Sequence, residues 1–116
     1  MITRTAIFEG RVQPGREDAF FDGVEQRLAP LWQKFPHALD VRFFRVDDCD
    51  DAERPVAMIQ QIDYPSIEAM REAITSPARD AARAVTLELM EMFDGRFYHV
   101  MTGPDRLAGS ERAIAQ

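Results

Sequence analysis

The sequence predicts an α+β domain in which two β-α-β units together form one four-stranded antiparallel sheet. Apolar runs of strand length and runs with helical spacing follow one another in the order strand, helix, strand, strand, helix, strand. The candidate strands are apolar on both faces, whereas a sheet with one solvated face alternates between apolar and polar residues. With 116 residues the chain forms one domain, and its two short helical regions can cover only one face of the sheet.

The first β-α-β unit begins with a strand over residues 3–12. A turn at Gln13-Pro14-Gly15 ends this strand, and the acidic residues that follow open a helix, where the helix dipole favours them. Pro30 lacks the amide that an α-helix needs, so it kinks this helix or starts a second short one. The second strand is predicted over residues 38–47. The buried face of the helix is predicted from apolar residues at helical spacing: Phe20, Val24, Leu28, Leu31 and Phe35.

The second unit begins with a strand over residues 54–64, followed by a short helix with apolar residues at positions 67, 70 and 74. Ser76 is placed to cap a longer helix over residues 78–93, with Pro77 at its first position. The inner face of this helix is predicted to carry Ala82, Val85, Leu89 and Phe93.

Asp94-Gly95 is predicted to end the long helix and to lead into a fourth strand over residues 96–101. The domain then covers residues 1–103, and residues 104–116 form a polar C-terminal tail that is frayed or lies across a neighbour. The β-α-β-β-α-β order with right-handed crossovers is that of the ferredoxin-like sandwich. Because the second face of the sheet is apolar too, we expect a homodimer in which two sheets pair face to face as an α/β barrel.

Composition excludes several classes of partner. The net charge of −6 and the isoelectric point near 4.8 argue against nucleic acid. A membrane span needs a run of about 18 apolar residues, which the sequence lacks. The lone Cys49 cannot form an internal disulfide and fits a reducing cytoplasm. The acidic residues around it raise the pKa of a thiol and disfavour a nucleophilic Cys49. This acidic loop lacks the glycine and the distal glutamate of a calcium-binding EF-hand loop, so we expect no metal.

His99 is the most interesting titratable residue. It lies in the fourth strand, on the same face as Phe97 and Met101. An imidazole in an apolar pocket could act as a general acid or base or ligate haem. The more common outcome is a buried histidine that is hydrogen-bonded to a neighbour. The strand pattern does not decide which face of the sheet holds His99.

Two arginines fall on opposite faces of the second strand. These are Arg42 and Arg45, so at least one of them is buried if the barrel closes. A buried charge needs a partner, and Asp63 and Glu9 are the candidates. We expect such a network to fix the register of the dimer; the alternative is that it binds a carboxylate or polarises a carbonyl.

Aromatic residues are the candidates for a ligand pocket. Core packing is the default role for most of them. The residues predicted to line a pocket are Trp32, Phe43, Phe93 and Phe97. Tyr64 is expected beside the pocket mouth, because it ends the third strand.

Residues 75–95, TSPARDAARAVTLELMEMFDG, follow the turn IDYPSIEAM at residues 62–70. Together they resemble the dimeric α/β-barrel superfamily, and the resemblance covers about residues 3–103. This superfamily includes cofactor-independent antibiotic-biosynthesis-type monooxygenases, haem-degrading enzymes, EthD-like proteins and stress-responsive barrels with polyketide-cyclase members. The resemblance implies a homodimer with a pocket between sheet and helices in each protomer, used for a planar apolar ligand.

The catalytic residues of two of these groups do not carry over. Haem-degrading members combine an Asn, a Trp after the third strand and a His on the long helix, whereas this chain has Asp63-Tyr64-Pro65 and no histidine on that helix. Polyketide-cyclase members carry a His after the Pro-Ala kink, where this chain has Arg79.

The sequence therefore predicts a protein that binds a small hydrophobic molecule, aromatic or polyketide-like. It leaves open whether the protein is an enzyme. If it is, we expect cofactor-independent oxygenation or a proton-transfer rearrangement, such as cyclisation or isomerisation, with no cofactor. His99 would be the base, and Tyr64 or an arginine such as Arg79 would donate to a developing oxyanion. The alternative is a non-catalytic stress-response or accessory barrel whose dimer is the functional unit. Haem degradation would require haem binding that depends on His99.

Overall fold

The computed structural model describes residues 1–104 and contains one four-stranded antiparallel sheet with helices between its strands. The spatial strand order is β2-β3-β1-β4. This architecture confirms the predicted α+β ferredoxin-like fold. The strands are β1 (Ile2–Val12), β2 (Asp40–Arg45), β3 (Val56–Tyr64) and β4 (Phe93–Thr102). The helices are α1 (Glu17–Gly23), α2 (Ala29–Trp32), α3 (Ile67–Ile74) and α4 (Pro77–Leu89).

Local sequence rules explain how the helices begin. The hydroxyl of Ser76 accepts a hydrogen bond from the amide of Arg79, and Pro77 opens α4, as predicted. A π-helical stretch, Val24–Leu28, follows α1, and Pro30 then lies in the first turn of α2. An amide in the first turn of a helix has no hydrogen-bond acceptor within that helix, so proline is tolerated there. Pro30 therefore starts a second short helix.

The inner face of the sheet is the one that the helices cover. Strand register places even-numbered residues of β1 and β3 on this face, and most of them are buried. They pack against residues from the first helical region and from α4. The sheet contributes Ala6, Phe8, Met58 and Ile62, and the helices contribute Phe20, Val24, Leu28, Trp32, Ala82 and Leu89.

The prediction that Asp94-Gly95 ends the long helix is wrong. Helix α4 ends at Leu89, and β4 already begins at Phe93. Gly95 pairs with Gly10 across β1 and β4, and both have positive φ, +153° and +137°. A Cβ on Gly10 would lie 2.2 Å from the carbonyl oxygen of Asp94. The backbones of β1 and β4 can therefore come this close only because both positions are glycine.

The outer face of the sheet carries an apolar row beside polar residues. One row of paired residues crosses all four strands on this face: Phe44, Ile59, Ile7 and Tyr98. In the single chain Phe44 is 51% exposed and Tyr98 is 37% exposed, and nearby Val100 is 42% exposed. No helix between residues 1 and 104 is long and apolar enough to cross a membrane. The predicted tail falls almost wholly on residues 105–116, which lie outside the described part of the chain.

Candidate functional site

A small cavity lies between the inner face of the sheet and α4. Its volume is about 50 Å³, enough for a few water molecules. Its apolar lining consists of Ala6, Phe8, Trp32, Phe35, Ala82 and Phe97. Its polar lining consists of Arg4, Gln60, Arg79, Arg83, Thr86 and His99.

The small side chain of Ala6 explains why there is space at this point of the sheet. Ala6 pairs with Gln60 on one side and with His99 on the other, so these three side chains stand in one row on the inner face. A methyl group between two longer side chains leaves a depression in the sheet surface. Helix α4 covers it with residues spaced at helical intervals, from Arg79 to Thr86.

His99 lies on the cavity side of the sheet, which answers the question that the strand pattern left open. Its ring meets the ring of Phe97 edge to face, with centroids 6.0 Å apart and planes at 87°. Burial, followed by the charges of Arg4, Arg79 and Arg83, lowers the pKa of His99 to about 4. The imidazole is therefore neutral at pH 7.

The three arginines give the cavity a positive lining. Within residues 1–104, neither Arg4 nor Arg83 has a carboxylate within 4.0 Å. Arg79 has only its exposed neighbour Asp80, at 3.9 Å. Burial lowers the pKa of Arg4, which is the expected direction for a cation that has left water without a counter-charge.

Tyr64 lies elsewhere than the sequence predicted. The structure places it in the core, with no exposed surface, and it is not among the residues that line the cavity. Its hydroxyl has no hydrogen-bond partner among the described residues. Burial raises the pKa of Tyr64 to about 12, so the hydroxyl stays protonated. It is on the inner face because it continues the even-numbered side of β3.

The four aromatic candidates divide into two groups. Trp32 and Phe97 line the cavity. Phe43 is not part of the lining but contacts Trp32, with ring centroids 5.5 Å apart. Phe93 belongs to the core, where it stacks on Phe20 at 5.5 Å.

Sequence reasoning missed two arginines of this site. Arg4 alternates with Ala6 and Phe8 on the inner face of β1, and a charge in an otherwise apolar row was a usable signal. Arg83 follows Arg79 by one helical turn, so both arginines share one face of α4.

A second polar cluster lies on the outer face of the sheet. Arg42 donates hydrogen bonds to both carboxylate oxygens of Asp63, at 2.8 and 3.2 Å, and Thr3 donates a third at 2.6 Å. The pairing predicted for Arg42 is thus confirmed. These hydrogen bonds, first of all those from Arg42, hold the pKa of Asp63 below its usual value. Arg45 instead lies over the ring of Phe21, 4.5 Å from its centroid.

The described residues hold no group of three or more His, Cys, Asp or Glu side chains that could bind a metal ion. The polar residues that line the cavity are three arginines, a glutamine, a threonine and a histidine, and of these only the histidine is a common metal ligand.

No protein-family model matches the chain, and no curated protein matches it. Solved structures with the same fold include an EthD family protein from Bacillus halodurans C-125, at 19% identity and a TM-score of 0.68 over 90% of this chain and 99% of that one. An antibiotic biosynthesis monooxygenase has 12% identity and a TM-score of 0.63, covering 91% of this chain and 100% of that one. A dimeric ferredoxin-like protein of unknown function from Thermobifida fusca YX has 14% identity and a TM-score of 0.61, covering 88% and 89%. These neighbours confirm the predicted resemblance to EthD-like and monooxygenase-like barrels at the level of the fold.

Proposed function

We propose that the protein is a homodimer that binds a small hydrophobic molecule, with an aromatic or similar ring, in the cavity around His99. The observation that carries this proposal is the composition of one cavity: Trp32 and Phe97 provide apolar surface beside a neutral histidine and several donors. Ligand sites in proteins combine a mostly apolar lining with a few convergent polar groups in this way.

The outer face of the sheet supports the homodimer. Its row of Phe44, Ile59, Ile7 and Tyr98 spans the full width of the sheet, and exposed apolar patches of this kind mark association surfaces. A second copy of the same sheet would cover it. The neighbour from Thermobifida fusca is described as dimeric.

If the bound molecule reacts, the cavity favours chemistry that begins with proton transfer. The neutral imidazole of His99 would accept a proton from an acidic C–H or O–H group of the ligand. The negative charge left on the ligand oxygen would then be stabilised by Arg79 and Arg83. That negative charge also counteracts the effect of the arginines, whose positive charges lower the pKa of His99. Cofactor-independent oxygenation and isomerisation both start from such a deprotonated ligand. This proposal assigns the donor role to the arginines, since Tyr64 does not line the cavity.

The small volume of the cavity favours one alternative. With room for only a few waters, the site would turn over no substrate, and the protein would be an accessory or stress-response barrel whose dimer is the functional unit. His99 would then be a half-buried strand residue without a catalytic role.

Native mass spectrometry of freshly purified protein, with a denaturing run beside it, tests the proposal. We expect a mass of two chains plus a bound small molecule that is released on denaturation. If no molecule is bound after purification, we expect the dimer to bind added benzamide. Ala6→Val is the matched variant, since the larger side chain fills the cavity far from the outer face and should abolish the adduct while keeping the dimer. A monomer, or a dimer that takes up neither ligand, would contradict the proposal.

To distinguish catalysis from simple binding, the molecule released on denaturation is added back to the protein and its conversion to product is measured. We expect wild-type protein to convert it, His99→Gln to lose that conversion with the fold retained, and His37→Gln at the exposed second histidine to keep it. Equal conversion by the wild type and His99→Gln would remove the role of His99 as base.

A further inference from the structure

We infer that the ligand is an anion: a single-ring apolar molecule that carries one negatively charged oxygen group, a carboxylate or a phenolate, bound by the guanidinium groups of Arg79 and Arg83. This inference rests on the proposed function and names the class of molecule that the same cavity takes. The apolar lining alone does not determine the charge of the ligand.

The first observation is that cations from two elements converge on one cavity. Arg4 reaches it from β1, whereas Arg79 and Arg83 reach it from consecutive turns of α4. No aspartate or glutamate is among the described residues that line the cavity. A cationic ligand would therefore meet only repulsion here, and a neutral ligand would leave the arginines without a counter-charge.

The second observation is that this positive lining occurs in an acidic protein. The chain has a net charge of −6, with 20 acidic residues against 14 lysines and arginines. Some arginines of the described chain pair with carboxylates: Arg27 with Glu88, Arg42 with Asp63, and Arg96 with Glu9. The three arginines around the cavity have no acidic partner closer than 3.9 Å, and they differ from the other arginines without one because they meet at a single cavity. Guanidinium groups bind planar carboxylates and similar oxyanions through paired N–H donors, so an anionic ligand would supply the missing charge.

The apolar part of the lining limits the size and shape of the uncharged part of the ligand. Trp32 and Phe97 offer ring surfaces, and Ala6 leaves the space beneath them. The cavity is small, so the body of the ligand is at most one ring. Gln60, buried beside the cavity, adds an amide that can donate a further hydrogen bond to an oxyanion.

Benzoate and benzamide test this inference, because they share ring and shape and differ in charge. Trp32 is the only tryptophan of the chain and lines the cavity, so its fluorescence reports binding at this site. We expect the full-length protein to bind benzoate at least about tenfold more tightly than benzamide, the size of effect that a charge-assisted hydrogen bond produces. Arg83→Gln and, as a second variant, Arg79→Gln should each lose most of this preference while their affinity for benzamide stays the same.

Arg71→Gln is the matched control. Arg71 is exposed on α3 and does not line the cavity, and this variant changes the net charge by the same amount. It should bind both probes as the wild type does. Equal affinity of the wild type for benzoate and benzamide would overturn the inference and leave the proposed binding function intact. An equal loss of benzoate affinity in the Arg71 and Arg83 variants would also overturn it, since net charge alone would then explain the preference. Binding of neither probe would count against the proposed function itself.

Discussion

Phe97 and His99 lie edge to face on the inner side of β4, with ring centroids 6.0 Å apart. The first ring is apolar and the second is titratable, and alternation along the strand brings both to the same cavity. β4 is an edge strand, and α4 contributes residues to the same cavity, together with Trp32 and Phe35 from the first helical region. The site therefore depends on how these helical residues pack over one row of strand residues.

His99 should make the protein less stable in mild acid. Its pKa is about 4 in the folded chain and near its ordinary value of 6.5 in the unfolded chain. Between these values the unfolded chain binds a proton that the folded chain does not, so acidification favours unfolding. We expect the unfolding free energy of the wild type to fall more than that of His99→Gln between pH 7 and pH 5, measured by urea denaturation. Parallel pH profiles for the two proteins would show that burial and the nearby arginines do not lower the pKa of His99 as described.

Two ion pairs of the outer face, Asp63 with Arg42 and Glu9 with Arg96, should differ in their contribution to stability. Asp63 is 8% exposed and accepts hydrogen bonds from Arg42 and Thr3. Asp63→Asn should lower the unfolding free energy by about 1.5–3 kcal/mol, the range for hydrogen bonds to charged groups. Glu9→Gln is the control, because its partner Arg96 is largely exposed, and it should cost less than about 1 kcal/mol.

The Asp63 contribution also has a defined pH dependence. The folded pKa of Asp63 lies below the unfolded value, so the stabilisation is complete above the unfolded pKa near 3.8 and is lost as the pH falls through the folded pKa. Chemical denaturation at neutral pH and in acid measures this. A cost of Asp63→Asn that does not shrink in strong acid would mean that the carboxylate charge is not what stabilises the sheet.

Gly10 should tolerate no side chain. Its φ is +137°, and a Cβ would meet the backbone of Asp94 and Gly95 within 2.8 Å. Gly10→Ala should therefore cost more than about 2 kcal/mol, since backbone strain of about 1–3 kcal/mol adds to a backbone clash. Gly103→Ala, with nothing within 4 Å of the added Cβ, should be close to neutral. Thermal unfolding of both variants compares them, and equal melting temperatures would contradict the close pairing of β1 and β4.

The outer face should determine the oligomeric state. Val100→Lys places a charge on this face, and burying it between two sheets without a partner would be costly. We expect this variant to sediment as a monomer. Leu87→Lys is the control, because Leu87 is similarly exposed but lies on α4, away from the outer face. It should remain a dimer. A Val100→Lys dimer as tight as the wild type would place the interface elsewhere.

Features that depend on local sequence could be predicted, and features that depend on distant partners could not. Ser76-Pro77 and Pro30 act within one helical turn, so their effects follow from the residues themselves. Asp94-Gly95 looks like a helix end, but Gly95 is required by Gly10, which is far away in sequence.

The site was only partly predictable for the same reason. Strand alternation placed His99 with Phe97, but both faces of β4 carry apolar residues, so alternation could not say which face the helices cover. Alternation along β3 would have placed Tyr64 inside with Met58 and Ile62, had its position at the strand end not suggested a pocket mouth. Arg83 was missed because it is exposed, as charged residues on a helix usually are, although it also lines the cavity.

Nuclear magnetic resonance of the His99 side chain tests the central claim, ligand binding in this cavity, most directly. The protein has two histidines, and His37 is exposed and lies outside the cavity, so its resonance is an internal reference. We predict that the His99 ring resonances titrate near pH 4 in the free protein and shift when benzoate or benzamide is added at neutral pH, while those of His37 stay in place. Resonances of His99 that titrate near pH 6.5 and do not respond to either molecule would contradict a buried, ligand-facing imidazole.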